Sequence, residues 1–236
     1  MCCKRLVFSL HCEKGPASLD WRIVIPKKTN PGPELDSTAT RNPDKRQRIL
    51  EAAIQVFAEN GFFNSRVSEI AARAGVADGT IYLYFKSKEQ ILREALDGAF
   101  NRFFEEVQAA IAKETDPREQ LRTIAAHHLC SLGSNRNLAI VVQTELRQSA
   151  NFIKEFSQQH IVDYLNVVRE VVRQGQAMGI FRKEIQDRIF ANCFFGALDE
   201  IVTSWVLSER GYDLLPAADV VTDLMLQGMA EKKKHA

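Results

Sequence analysis

The chain is predicted to be all-α: an amino-terminal three-helix head built round a helix-turn-helix, set on a larger α-helical body. Three observations predict it. From Ile49 onward, apolar residues recur at steps of three and four in one segment after another, the spacing of helices with one buried face. The segments are divided by Gly61, Gly75, Gly133, Gly179, Gly211 and Pro216, with no βαβ pattern or internal repeat among them. The stretch VSEIAARAGVADGTIYLYFKSKEQIL, residues 67 to 92, stops one short helix at a glycine and starts another three residues later.

In chain order, the segment KKTNPGPELDSTATRNP carries prolines, glycine and small polar residues, the composition of a linker, after RIVIP, which could form one strand. Residues 1–40 are therefore read as a flexible tail, with a binding arm as the other reading. Helix 1 is expected from Pro43 to Asn60, with Asn42 as its cap, a proline suited to the first position, and Ile49, Ala52, Ala53, Val56 and Phe57 as its stripe. Val67, Ile70, Ala71 and Ala74 give the next helix its apolar face, and Gly75 ends it because glycine takes the left-handed conformation freely. A second short helix follows at Asp78 to Tyr84, with Ile81 and Phe85 inward. Ser87 then caps a long helix, and Gln90 stands at the reciprocal capping position. Leu92, Leu96, Phe100, Phe103 and Val107 run along it and join head to body. Asp116, Pro117 and Glu119 mark the next start, and further helices are expected at 117–132, 136–149, 151–178, 186–208 and 217–231.

Composition bounds the function. At 236 residues and 45% hydrophobic, the chain can bury a sizeable core, and a formal net charge of +1 means that any contact with DNA must be local. No uninterrupted run of about 18 apolar residues appears, so no membrane span is expected, and the amino terminus lacks the hydrophobic core of a signal peptide. The expected place is the cytoplasm, at the nucleoid when DNA is bound. The five cysteines, at 2, 3, 12, 130 and 193, are odd in number and scattered, which argues against a disulfide framework. Cys2, Cys3 and Cys12 with His11 do not have the spacing of a zinc site, and the adjacent His127 and His128 point different ways on a helix. No metal is expected. Ser149, His160 and Asp163 contain the residue types of a catalytic triad without its geometry, so an enzyme, such as a helical lipid-handling one, is the disfavoured class.

Periodicity alone leaves a plain helical hairpin as open as a DNA-reading pair. Thr80, Tyr82, Tyr84, Lys86, Ser87 and Lys88 shift the balance, since hydroxyls and ammonium groups collect where a duplex backbone would run. Arg41, Lys45, Arg46 and Arg48 add charge at the start of helix 1, for approach to phosphate or as a solvated helix end.

At this point AAIQVFAENGFFNSRVSEIAARAGVADGTIYLYFKSKEQIL closely resembles the TetR/AcrR family of transcriptional regulators, most specifically in the spacing G-V-x-x-G-T-I-Y-x-Y-F-K-S-K over residues 75 to 88. The segments NLAIVVQTELRQSANFIKEF and FFGALDEIVTSWVLSERGYDLL resemble the fatty-acid-degradation (FadR) subgroup of that family. The resemblance implies a DNA-binding domain at 41–87 and an effector-binding and dimerisation domain at 88–236. DNA-contact roles fall on Thr80, Tyr82, Tyr84, Lys86 and Lys88, with Arg66, Ser68 and Asp78 beside them and Gly79 permitting close approach of the helix. The resemblance further implies a homodimer on double-stranded operator DNA, with Phe190, Phe194, Leu198, Ile201, Trp205, Val221, Leu224 and Met225 as interface candidates, although the same stripes could pack inside one subunit. Finally it implies repression of fatty-acid degradation genes, relieved by long-chain acyl-coenzyme A as regulatory ligand, with no cofactor. Effector candidates are Arg102, Phe103, Arg136, Arg147, Phe152, Phe194 and Phe195; for the arginines a structural salt bridge is the other use. A repressor answering to another hydrophobic molecule, such as a drug, is the alternative.

Overall fold

The computed structural model describes the backbone of residues 43–148, 151–208 and 211–229, and the side chains of these residues except those from 145 to 158. The strand expected at RIVIP, the cap at Asn42, the tail and the group Cys2, Cys3, Cys12 and His11 lie outside the described residues. Nine helices follow one another among the described residues: α1 (Pro43–Asn60), α2 (Val67–Ala74), α3 (Asp78–Tyr84), α4 (Lys88–Ile111), α5 (Pro117–Gly133), α6 (Arg136–Gln148), α7 (Asn151–Ala177), α8 (Asp187–Leu207) and α9 (Leu215–Met229).

Local signals set most of these boundaries. Gly75 ends α2 at φ 66°, where its N–H reaches the Ala72 carbonyl at 3.2 Å and that of Val76 reaches Ala71 at 3.0 Å, so the last carbonyls are satisfied. The Ser87 hydroxyl accepts the Gln90 N–H at 3.2 Å as expected, but the Gln90 side chain accepts from the Lys86 N–H at 2.7 Å, so the return bond is displaced by one residue. Asp116 caps α5 by accepting from the Arg118 N–H at 2.9 Å, with Pro117 at its first position, while Glu119 reaches Arg122 at 3.6 Å. α9 begins two residues earlier than its apolar pattern suggested, because Asp213 accepts from the Leu215 N–H at 3.0 Å and Pro216 fits the first turn.

Two cores hold the molecule. In the head, Ile49, Ala53 and Phe57 of α1 meet Ile70 of α2, Ile81 and Phe85 of the α3 segment, and Leu92 and Leu96 of α4. α3 has seven residues, too few for a helix that stands alone, so its position depends on burial of Ile81 and Phe85, each worth roughly 1.5–3 kcal/mol. Val141 and Val142 of α6 complete this same core, and α6 packs on α1. The body core gathers Leu121, Leu129, Val168, Phe181, Phe194 and Leu198 with their neighbours. Gly175 is required there, since a Cβ would run into the Phe181 ring.

By length and composition alone α8 is apolar enough to cross a membrane, although Asp199 and Glu200 interrupt it. Its apolar character has two sides. Phe190, Phe194, Leu198 and Trp205, together with Val221 of α9, are buried mainly in the body's own core, so these interface candidates turn inward. The physical reason is that the largest side chains at four-residue steps make the face that meets α7 and α9. Ile201 and Met225 are half-buried at the edge of that core, whereas Leu224 is exposed. The outer stripe of α8 and α9 consists of Ile189, Cys193, Leu207, Val220 and Leu224, all exposed.

Candidate nucleic-acid interface and ligand cavity

α3 turns Gly79, Tyr82 and Leu83 away from the Ile81 side, followed by Lys86 in the next turn; all four are exposed. Thr80 and Tyr84 flank this face half-buried, and Asp78 stands exposed in the first turn, where its carboxylate complements the helix dipole. Arg66 and Ser68 are exposed at the start of α2, whose first turn is fixed by the Glu69 carboxylate accepting the Arg66 N–H at 2.8 Å. Gly79 has no positive φ and nothing within 4 Å of the place a Cβ would take, so nothing within the subunit requires glycine there. Leu83 escaped the sequence reading because an apolar residue two positions from a buried isoleucine looks like core. Its 64% exposure at the centre of the outward face makes it a further candidate for apolar contact with a base.

Lys88 and Arg46 are among the cations of the head that the fold holds, as is Arg73, which donates to the Glu59 carboxylate at 2.6 and 2.8 Å. The Lys88 ammonium donates to the carbonyl oxygens of Phe62 at 2.6 Å, Ser65 at 2.9 Å and Phe63 at 3.2 Å, and lies 4.5 Å from the Phe62 ring centroid. The three Lys88 donors thus clamp the loop between α1 and α2 to the start of α4, a structural use that competes with its reading as a phosphate contact. Arg46 pairs with Glu94 and lies over the Phe85 ring at 5.2 Å.

The body encloses a cavity of about 80 Å³ between α4, α5, α6, α7 and α8. Phe100, Phe103 and Phe104 of α4 form one wall; Leu132 of α5 with Leu138 and Val142 of α6 form another. Ile161 and Tyr164 of α7 and Phe195 of α8 close it. Polar groups are few. His160 stacks on Phe100 at 4.5 Å and its Nε2 lies 3.1 Å from Asp97 Oδ1. The Asp199 carboxylate accepts from the Gln143 amide at 2.7 Å, and the Thr203 hydroxyl donates to the Gln143 carbonyl oxygen at 2.9 Å. Burial pushes the His128 imidazole down to about 4, so it is neutral, and pushes the Tyr164 phenol well above its ordinary value, with the Asp199 charge adding to the effect. Neither His128 Nε2 nor the Tyr164 hydroxyl finds a hydrogen-bond partner among the described residues.

Of the effector candidates, Phe103 and Phe195 line the cavity. Phe194 lies in the core behind it, and Arg102 is not among its lining residues. Arg136 takes the structural use that stood beside ligand contact: its guanidinium donates to the carbonyls of Trp205 at 3.2 Å, Val206 at 2.9 Å and Ser208 at 2.8 Å, and stacks on the Trp205 ring at 4.9 Å. It thereby adds a donor to the carbonyls at the end of α8, of which that of Trp205 also accepts the Ser208 N–H at 3.2 Å. The side chains of Arg147 and Phe152 lie outside the described residues. His128, Tyr164 and Asp199 were missed as cavity residues; the available signal was that polar residues stand four apart from aromatic or histidine neighbours, as in His160 and Tyr164 or Phe195 and Asp199. Among the described residues no group of three or more His, Cys, Asp or Glu is placed to hold a metal ion. Asp163 accepts from the Gln159 amide at 2.9 Å and His160 pairs with Asp97, while Ser149 lies outside the described residues.

Comparison with known proteins matches both halves. Residues 49–95 fit the family model of bacterial regulatory proteins of the tetR family, and residues 96–228 that of the carboxyl-terminal region of YsiA-like proteins. The chain is 37% identical over 188 residues to the fatty acid metabolism regulator protein of Bacillus subtilis (strain 168), covering 80% of this chain and 97% of the relative. Among solved structures, the transcriptional regulator FadR of Bacillus subtilis in complex with stearoyl-CoA superposes with a TM-score of 0.73 at 38% identity. The fatty acid degradation regulator FadR of Bacillus halodurans does so at 0.72 and 39% identity, each match covering 77% of this chain and 97% of the other. With its head, its body and their order all matched, this chain belongs to the TetR family of bacterial regulatory proteins.

Proposed function

We propose that the protein is a homodimeric repressor of fatty-acid degradation genes that binds operator DNA through α3 and is released by long-chain acyl-coenzyme A. The observation that carries the release step is Val142, which lines the cavity and also belongs to the core of the head. A chain inserted between Phe103, Leu138 and Val142 displaces α6, and α6 packs on α1, so filling the cavity and holding the head's present shape compete. Binding shifts the balance only to the extent that the ligand prefers the displaced arrangement. Likeness to the Bacillus subtilis regulator in complex with stearoyl-CoA supports the acyl-coenzyme A as the ligand class.

On the DNA side, Thr80, Tyr82, Tyr84 and Lys86 are proposed as positioning contacts, with Arg66, Ser68 and Asp78 at the margin and Gly79 at closest approach. Arg102 and Arg147 are proposed to meet the coenzyme phosphates, and Phe103, Phe152 and Phe195 the acyl chain. Outer residues Val220 and Leu224 with Ile201 and Met225 are proposed to join two subunits, which presents two copies of α3 to a two-fold operator.

One observation favours a second reading, a sensor of another hydrophobic molecule: no lysine or arginine lines the cavity among the described residues. Titration of the protein–operator complex at fixed salt with hexadecanoyl-coenzyme A, free coenzyme A, hexadecanoate and cationic drugs separates the two. Release by the acyl-coenzyme A and not by the other three is expected; release by a drug with none by the acyl-coenzyme A would replace the first reading with the second.

A further inference from the structure

Two polar groups in the cavity wall stand apart from the rest. The Tyr164 hydroxyl of α7 and His128 Nε2 of α5 belong to side chains that are each 6% exposed, both residues line the cavity, and neither atom has a partner among the described residues. Buried polar atoms are ordinarily satisfied, and an unsatisfied pair in a cavity wall is the mark of a site completed by what enters. Nor can the rings swing aside to find partners. Tyr164 stacks on Phe103 at 5.7 Å, meets Phe195 edge-on at 5.2 Å and His128 at 5.5 Å, while His128 also touches Phe195 at 6.0 Å.

The chemistry of the pair limits its occupant. Burial keeps the phenol protonated, hence able to donate, and keeps the imidazole neutral, so that Nε2 offers either an N–H or a lone pair according to tautomer. The wall adds the Asp199 carboxylate and, among the described residues, no lysine or arginine, so there an anionic group would meet like charge. An uncharged oxygen has neither difficulty.

We propose that Tyr164 and His128 form a polar station that hydrogen-bonds the thioester carbonyl of the bound acyl-coenzyme A, the tyrosine hydroxyl donating to it. This rests on the reading of the cavity as an acyl site. Recognition at this point distinguishes a thioester from the carboxylate of the corresponding free fatty acid, a distinction that the apolar wall cannot make.

Affinities of hexadecanoyl-coenzyme A and of hexadecyl-coenzyme A, the thioether that lacks only the carbonyl oxygen, are measured for the wild type and for Tyr164→Phe by calorimetry. The wild type is expected to prefer the thioester by about five- to tenfold, the worth of one neutral hydrogen bond. Tyr164→Phe is expected to abolish that preference while binding the thioether as before. The unfolding midpoint of the ligand-free variant is expected not to fall, since the deleted hydroxyl bonds nothing among the described residues. Equal affinity of the wild type for both compounds, or an equal loss of both in the variant, would overturn the station while leaving the acyl site standing. A lowered midpoint without ligand would show that the hydroxyl has a structural partner and would also overturn it. Binding of neither compound by the wild type would remove the functional reading together with this inference.

Discussion

At the scale of single residues, the direction of a side chain decides its role, and charge alone does not disclose it. Lys86 and Lys88 are two positions apart, yet Lys86 is exposed while Lys88 closes three carbonyls of the preceding loop. Lys88→Ala is therefore expected to lower stability by roughly 1.5–3 kcal/mol, the range for hydrogen bonds from a charged donor, in urea unfolding. Lys86→Ala should leave stability nearly unchanged and reduce the salt slope of operator binding by about one counterion. The reverse assignment, with Lys88→Ala stable and shallow in its salt dependence, would restore Lys88 to the DNA interface. The same lesson applies to Arg136, whose partners lie 69 to 72 residues away in sequence. Cap residues were legible because Ser87, Asp116 and Gly75 act on their immediate neighbours; Lys88 and Arg136 were not, because their acceptors are main-chain oxygens of remote segments that carry no mark in the sequence.

At the scale of elements, α3 is anchored by Ile81 and by Phe85 just beyond its end, with Thr80 and Tyr84 half-buried, so the side that carries Gly79, Tyr82 and Leu83 is available to a partner. Gly79 tests this directly. Alanine there meets nothing within the subunit and suits a helix better than glycine, so Gly79→Ala is expected to hold or raise stability by up to about 1 kcal/mol. Operator affinity measured by fluorescence anisotropy should nevertheless fall, since the added methyl would stand where the duplex lies closest. Unaltered affinity would move the contact surface away from the start of α3. Helix order and nearly all helix limits could be read from three- and four-residue periodicity with glycine and proline stops. The cavity could not, because its wall is drawn from five helices, and which of many aromatic residues face one another depends on their packing. Phe194 and Phe195 show the difficulty: adjacent in sequence, one lies in the core and the other on the cavity.

For the whole molecule, the interface proposed on the outer stripe of α8 and α9 would separate subunit association from subunit folding. Leu224→Glu places a charge on an exposed face, so it is expected to leave the unfolding midpoint within a degree or two, convert the protein to monomers in analytical ultracentrifugation, and weaken operator binding at least tenfold. Trp205→Ala acts inside the subunit, with an expected cost of about 3–5 kcal/mol. A dimer unaffected by Leu224→Glu would place the interface on another surface. The sharing of Val141 and Val142 between α6 and the head has a separate consequence, for how such proteins can be taken apart and recombined. A DNA-reading head transplanted without α6 would carry two unfilled places in its core, so the natural unit of exchange between sensors of this build is the whole chain from α1 through α6, and a new ligand specificity grafted below the head must bring its own pair of valine-sized side chains to the same spot.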